Sequence, residues 1–505
     1  MNMRWTRMLP LVLGLATFTG GVSAQVLRIG IASDPDVLDP TLSRSVAGRQ
    51  VFAAMCDKLV DIDATLNFIP QLATAWRWSA DGHSLSLALR PGVMFHDGTA
   101  MDAAAVQASL ERHLRMAGST RKAELGPVAS VEAVGPLEVR INMTTVFAPL
   151  VAVLSDRAGM MMSARAATQT GEAFAAAPGC AGPYKFVRRI AQDRIELERF
   201  KEYWDAGRFH FEKVTYQPIT DSTIRTANLR AGSLEIIEGV NPTDVAALAA
   251  DKRVALYTGP GLVSGYIAIN VGNGRRAEGK LGRDKLVREA LDAAIDRQIL
   301  NQVAFNGAYI PGNQSVQPES PFYSANVPVP PRDLARAKAL LKQAGLERVK
   351  LQMSVPNTTE FRQAAEVIQA MAGEAGIDIE LTVIEVATLL KQWTDGDFES
   401  LIILWSGRTD IDANLYNFNA CGMALNGGRY CNPEVDRLLN EGRGTTDFAK
   451  RKIAYDAAAK LYLDDRPYIY LWNGKLIAGT SARLDGLAMV PDGLLRLRDL
   501  RLRDN

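Results

Sequence analysis

The chain has 505 residues and a formal net charge of +1, from 57 Lys and Arg against 56 Asp and Glu. So even a balance gives no counterion-release drive toward nucleic acid and no basic run to hold the chain on anionic lipid, and neither partner is expected. The length exceeds what one hydrophobic core supports, which predicts at least two lobes.

Arg4 and Arg7 precede an apolar run from Met8 to Phe18, and Val22, Ser23 and Ala24 form a small-residue cleavage site. This pattern predicts a signal peptide over 1–24. The run is too short for a membrane-crossing helix, and no cysteine follows the cleavage site to carry a lipid, so a soluble periplasmic protein is expected. Four cysteines remain, Cys56, Cys180, Cys421 and Cys431, and an even count in an oxidising compartment points to disulfides. Cys421 and Cys431 flank a loop containing Gly422, Asn426, Gly427 and Gly428 that can fold back, and these two are expected to be bridged. Cys56 and Cys180 are the remaining pair; the alternative for Cys56, inside the apolar stretch 51–60, is a buried free thiol. His83, His96, His113 and His210 are scattered, so no metal and no cofactor is expected.

In chain order, 25–32 reads as a strand, 47–60 as a helix and 84–89 as an alternating strand entering the turn Arg90, Pro91, Gly92. Asp102 caps a helix to Leu114. Hairpins are expected at 131–133 with 137–142, around Gly135 and Pro136, and at 184–190 with 194–200. After Gly272 and Gly274 come long amphipathic helices at 283–304 and 332–344. Strands at 350–355, 377–384 and 401–405 then alternate with helices at 361–375 and 387–394, the pattern of βαβ units in a second lobe.

Signatures of catalysis are missing. The chain has no Gly-x-Ser-x-Gly elbow, no phosphate-binding P-loop and no His-Glu-x-x-His, and it is not expected to be an enzyme. Gly272, Asn273 and Gly274, with Ala277 in place of a third glycine, read as a turn. Asp464 and Asp465 read as a solvated helix end.

A resemblance emerges from motifs in fixed order. These are Leu38, Asp39, Pro40; Val60 to Asp63; Pro70, Leu72, Ala73, Trp76, Ser79, Asp81, Gly82; and Leu89, Arg90, Gly92, Phe95, His96, Asp97, Gly98. Gly182, Pro183, Tyr184, Phe186, then Tyr203 and Trp204, then Val287 to Leu300, and then Trp405 through Asn414 continue the series. Together they resemble family 5 extracellular solute-binding proteins, whose dipeptide- and oligopeptide-binding members serve ABC importers. On the residues alone, Trp76 and Trp78 read as core or surface cover, and His96 as a turn residue. The resemblance implies an α/β, two-lobed periplasmic binding protein fold (type II, cluster C-like) with an extra subdomain in the first lobe. It assigns 25–60, 166–258 and 476–505 to lobe I, 61–165 to the subdomain and 259–475 to lobe II, with crossings near 257–262 and 470–476.

A zwitterionic peptide held out of water needs a carboxylate for its ammonium and an arginine for its carboxylate, because burying either charge unpaired is costly. Asp410 and Asp412 follow Trp405 and Gly407 just past an apolar strand, where α/β folds place ligands. The resemblance assigns the ligand amine to Asp412, with Asp410 in reserve; relatives carry proline where this chain has Ile411, and the alternative is a capping role. It likewise offers Arg362 for the ligand carboxylate, against the reading of an ordinary surface arginine. Arg408, and Arg44 within Ser43, Arg44, Ser45, are further anion binders, and Asn414 completes the set. The expected partners are a peptide or peptide-like small molecule and ABC permease subunits, with the protein a monomer that closes its lobes on the ligand. Glutathione or a nickel chelate is the alternative ligand within this class; a secreted hydrolase or a periplasmic chaperone is the alternative outside it.

Overall fold

The computed structural model describes residues 25–169 and 171–503. The signal peptide read over 1–24 lies outside them. Among the described residues, no helix is long and apolar enough to cross a membrane.

One sheet runs through both lobes. Its strands lie side by side in the order Ile377–Ile384, Val349–Pro356, Ser400–Trp405, Val254–Ile269, Tyr468–Ser481, Ile236–Ile237, Val26–Ile31, Lys213–Pro218, Arg194–Arg199, Tyr184–Ile190. In lobe I, Val26–Ile31 is parallel to Lys213–Pro218 and Ile236–Ile237. In lobe II, Val349–Pro356 is parallel to Ile377–Ile384 and Ser400–Trp405. Parallel strands need crossover connections, and the crossovers here are helices such as Thr359–Glu374, which buries Phe361, Ala364, Ala365 and Ile368 against the sheet. Val254–Ile269 and Tyr468–Ser481 pair antiparallel from one lobe into the other, and the crossings read from the sequence fall within them.

The ladder between these two strands is interrupted between Pro260 and Ser264. Gly259, Pro260 and Gly261 explain the break, since proline lacks the N–H the ladder needs and glycine packs nothing against a neighbour. Leu262 instead donates its N–H to the Pro491 carbonyl at 2.9 Å.

A separate four-stranded antiparallel sheet, Ala73–Trp78, Ser84–Leu89, Glu138–Met143 and Val128–Gly135, forms the subdomain with its own core around Leu85, Leu87, Val106 and Phe147. Trp76 and Trp78 pack partly buried against that core. Both hairpins read from the sequence are present.

Two helices are shorter than their apolar patterns. The first is Val46–Met55, where 47–60 was expected; Cys56 is extended and bridged to Cys180, and Gly182 packs so near that an added Cβ would come within 2.3 Å of the Met55 carbonyl. The expected helix 283–304 is divided into Lys285–Ala294 and Arg297–Phe305, because Asp284 and Asp296 each turn back to cap a new helix through backbone N–H groups at 2.9 Å.

Both cysteine pairs are bridged, Cys421 with Cys431 and Cys56 with Cys180. The first closes a sequence separation of 10 and the second one of 124. On the chain-entropy model the short loop contributes about 3 kcal/mol and the long one about 5 kcal/mol. Urea unfolding of the two double-serine variants is therefore expected to show the larger loss for Cys56 and Cys180; equal losses would contradict the loop-length account.

Candidate functional site

The carboxyl-terminal ends of parallel strands from both lobes converge on one cavity of about 250 Å³. Ala32 and Ser33 follow the first strand, Pro356 ends a lobe II strand, and Trp405 ends another with Ser406 just past it; Gly474 to Ala478 of a crossing strand close the back. This is where open α/β sheets bind ligands.

On the lobe I wall the segment Ser43, Arg44, Ser45 is folded around one carboxylate. Asp36 accepts from the Ser43 and Ser45 hydroxyls at 2.7 and 2.6 Å and from the Arg44 N–H at 2.7 Å. The two serines are thus used up in holding the turn, and Ser45 also caps the following helix by accepting from Gly48 at 3.0 Å. Arg44 lines the cavity and hydrogen-bonds Thr394 of the lobe II helix Val386–Asp395. It has no ion-pair partner among the described residues, and burial lowers its pKa.

On the lobe II wall, Asn414 fixes the loop after the strand Ser400–Trp405. Its Oδ1 accepts from Trp405 Nε1 at 2.7 Å and from Arg408 N at 2.8 Å, while its Nδ2 donates to the Arg408 carbonyl at 2.9 Å. Gly407 has φ +69°, and an added Cβ there would lie 2.1 Å from the Leu262 carbonyl, so the loop can rest on the crossing strand only with glycine.

Arg408 turns away from the cavity. Its guanidinium stacks 4.3 Å from the Trp405 ring centre and pairs with Asp156 at 2.8 Å. Asp156 also pairs with Arg49 of lobe I at 2.6 Å. One subdomain carboxylate therefore joins all three parts of the molecule. Burial alone would raise its pKa, but Arg408, Arg49 and Arg157 hold it well below the usual carboxylate range. Burial among like charges brings Arg408 and Arg157 down to about 9.

The two aspartates that the resemblance assigned to the ligand amine are paired with arginines of lobe II. Asp412 is buried, pairs with Arg443 at 2.8 Å and accepts from the Tyr455 hydroxyl at 3.2 Å. Asp410 caps the helix Ile411–Asn419 by accepting from Asp412 N at 2.9 Å, and forms a fork with Arg451 at 2.6 and 2.9 Å. Neither lines the cavity. Arg362 is exposed and also lies off the cavity, whereas its neighbours Thr358 to Phe361 line it.

Two carboxylates that the sequence reading missed do face the cleft. Glu238 on lobe I accepts from Ala32 N at 2.9 Å, and Glu360 on lobe II accepts from the Tyr309 hydroxyl at 3.1 Å. Burial raises the pKa of both, and neither has an ion-pair partner within 4.0 Å among the described residues. Arg225 lies near both but spends its guanidinium on the Ile219 and Gly239 carbonyls at 2.5 and 2.8 Å. Each glutamate follows the end of a parallel strand, so the rule that pointed to Asp410 and Asp412 applies to them equally.

A family model described as bacterial extracellular solute-binding proteins, family 5, matches residues 67–425. The chain belongs to this family. The glutathione-binding protein GsiB of Pectobacterium atrosepticum is 29% identical over 489 residues, 94% of each chain. The fold matches that of the periplasmic binding protein DppA of Helicobacter pylori in complex with peptide STSA, with TM-score 0.87, 24% identity and coverage of 95% and 98%. It also matches NikA of Staphylococcus aureus in complex with Ni(L-His)2, with TM-score 0.85, 20% identity and coverage of 94% and 99%. At these identities the structural likeness establishes the two-lobed fold of a family 5 protein. Among the described residues no group of three or more His, Cys, Asp or Glu side chains is placed to hold a metal.

Replacing Asp156 by Asn should leave Arg49 and Arg408 buried without a counter-charge, a loss of about 3 to 5 kcal/mol. Because the folded pKa of Asp156 is depressed, its contribution is present above the ordinary aspartate range and is lost as pH falls toward the folded value. Chemical unfolding from pH 7 down to pH 3 should thus show a steeper loss in the wild type than in the Asn variant.

Proposed function

We propose that this protein is the periplasmic receptor of an ABC importer and captures a peptide-like solute of two or three residues by closing its lobes. The observation that carries this reading is one cavity lined by charges of both signs that have no ion-pair partner among the described residues, Glu238 and Arg44 from lobe I and Glu360 from lobe II. A zwitterion brings an ammonium and a carboxylate, and each then finds its counter-charge in a site drawn from both lobes. The volume of about 250 Å³ suits a small solute. Glutathione is the second reading, supported by the GsiB relatives. The protein performs no chemistry on the solute and works as a monomer.

Closure follows from the contacts. A ligand that touches Glu238 on lobe I and Glu360 on lobe II favours the closed state by its differential affinity. The interrupted ladder at Gly259, Pro260 and Gly261 supplies a compliant crossing for that motion. A saturating dipeptide or glutathione should raise the melting temperature and lower the radius of gyration in solution scattering. A ligand that raises the melting temperature and leaves the scattering curve unchanged would refute closure.

Glu360→Gln keeps the volume and removes the charge, and should cost about 2 to 4 kcal/mol of affinity for a peptide with a free amine in calorimetry. With the carboxyl pKa raised, wild-type affinity for that peptide should fall as pH drops, at higher pH than an ordinary glutamate would give, and the Gln variant should lose this dependence. Unchanged affinity in the variant would remove Glu360 from the site.

A further inference from the structure

Beside the inter-lobe cavity lies a second chamber of about 1040 Å³, between the subdomain and lobe II. The two share Arg44. The larger chamber is lined by Lys122 and His83 from the subdomain and by Arg429 and Arg443 from lobe II, and no acidic residue lines it. Arg443 is committed to Asp412 and stacks 3.4 Å from the Tyr416 ring centre. His83 lies beside Asp81. Lys122 and Arg429 are exposed and, like Arg44, have no ion-pair partner among the described residues.

Arg429 is placed there by the Cys421–Cys431 loop. Asn426 donates to the Ala420 and Tyr430 carbonyls at 3.0 and 2.6 Å and accepts from Tyr430 N at 2.9 Å, so the bridged loop is also laced from within. Arg429 holds φ +57° at its tip, a conformation an arginine adopts only when its surroundings impose it. On the facing wall, the Ser119 hydroxyl accepts from Lys122 N at 3.3 Å, at the start of the short helix Arg121–Leu125. Two structured elements thus present free cations across a water-accessible chamber whose walls hold no counter-charge.

Resting on the reading of a peptide-like ligand, we propose that this chamber receives a second anionic group of the solute, and that the importer therefore takes acidic peptides, with the Cys421–Cys431 loop as the element that selects them. The backbone of the solute lies in the inter-lobe cavity, Arg44 stands at the passage, and an acidic side chain reaches past it toward Lys122 and Arg429. Cations on both walls set the preference through charge complementarity, which salt screens.

Calorimetry with Ala-Glu-Ala and Glu-Ala-Ala against their glutamine counterparts tests this, because each pair differs in one charge at nearly constant volume. Wild-type protein should bind at least one glutamate peptide about tenfold more tightly than its counterpart, with the ratio shrinking at high salt. The ratio should collapse toward one in a Lys122→Gln, Arg429→Gln double variant of unchanged melting temperature, and should shrink when Cys421 and Cys431 are both replaced by serine. Lys350→Gln, an exposed change on a distant strand, should leave the ratio as it is. Tight binding of the glutamine peptides with no preference for glutamate, or a preference that survives the double variant, would overturn the chamber and leave the peptide reading standing. Failure of all four peptides to bind would overturn the peptide reading and the chamber with it.

Discussion

The buried carboxylate of Asp156 lies between guanidinium groups contributed by Arg49 of lobe I and Arg408 of lobe II, with Arg157 of its own segment adjoining. Coulomb attraction is strong in so dry a setting, and so is the penalty for any charge left over. The donors are only partly used: Arg157 Nε and Arg408 Nη2 are buried without a hydrogen-bond partner. Arg49 and Arg408 can share the same carboxylate only while the two lobes stand close, so the junction and the inter-lobe cavity depend on the same separation.

The rest of the site can be read as a consequence of that closeness. Ser406, one residue past the strand end, accepts from Arg49 at 3.2 Å across the cleft, and Arg157 reaches the Ser43 carbonyl at 2.8 Å. The segment carrying Arg44 is thus pinned from behind by the subdomain and from in front by Asp36. Its side chain lines the cavity and reaches Thr394 of lobe II. The subdomain therefore braces, from behind, a segment that lines the inter-lobe cavity.

Much of this was legible in the amino-acid order. Alternating strands, caps at Asp102 and the Gly-rich turns located the sheet and most helices, and motifs from Leu38 to Asn414 pointed to the family. Arg44 and Trp405, both read from the sequence as candidate ligand residues, line the inter-lobe cavity. What the order of residues did not reveal was which charges cancel each other. Asp410 and Asp412 stand at a strand end as a ligand carboxylate should, yet Arg451 and Arg443, far along the chain, had already claimed them. Arg408 was lost to Asp156 in the same way. Glu238 and Glu360 carry no motif; only their lack of a partner, a property of the folded chain, distinguishes them.

Tyr468–Ser481 has a consequence for how the molecule is made. This strand, from the last tenth of the chain, sits in the middle of the sheet between Val254–Ile269 and Ile236–Ile237. Most of lobe II lies between the two crossing strands in sequence, so it can gather its own core around Val287, Leu351 and Ile368 first. Lobe I cannot complete its sheet until that late strand arrives. A chain made from its amino end therefore holds lobe I open longest, with Cys56 and Cys180 both present while the edge awaiting Tyr468–Ser481 is still bare. The lobe made first is the last to be finished.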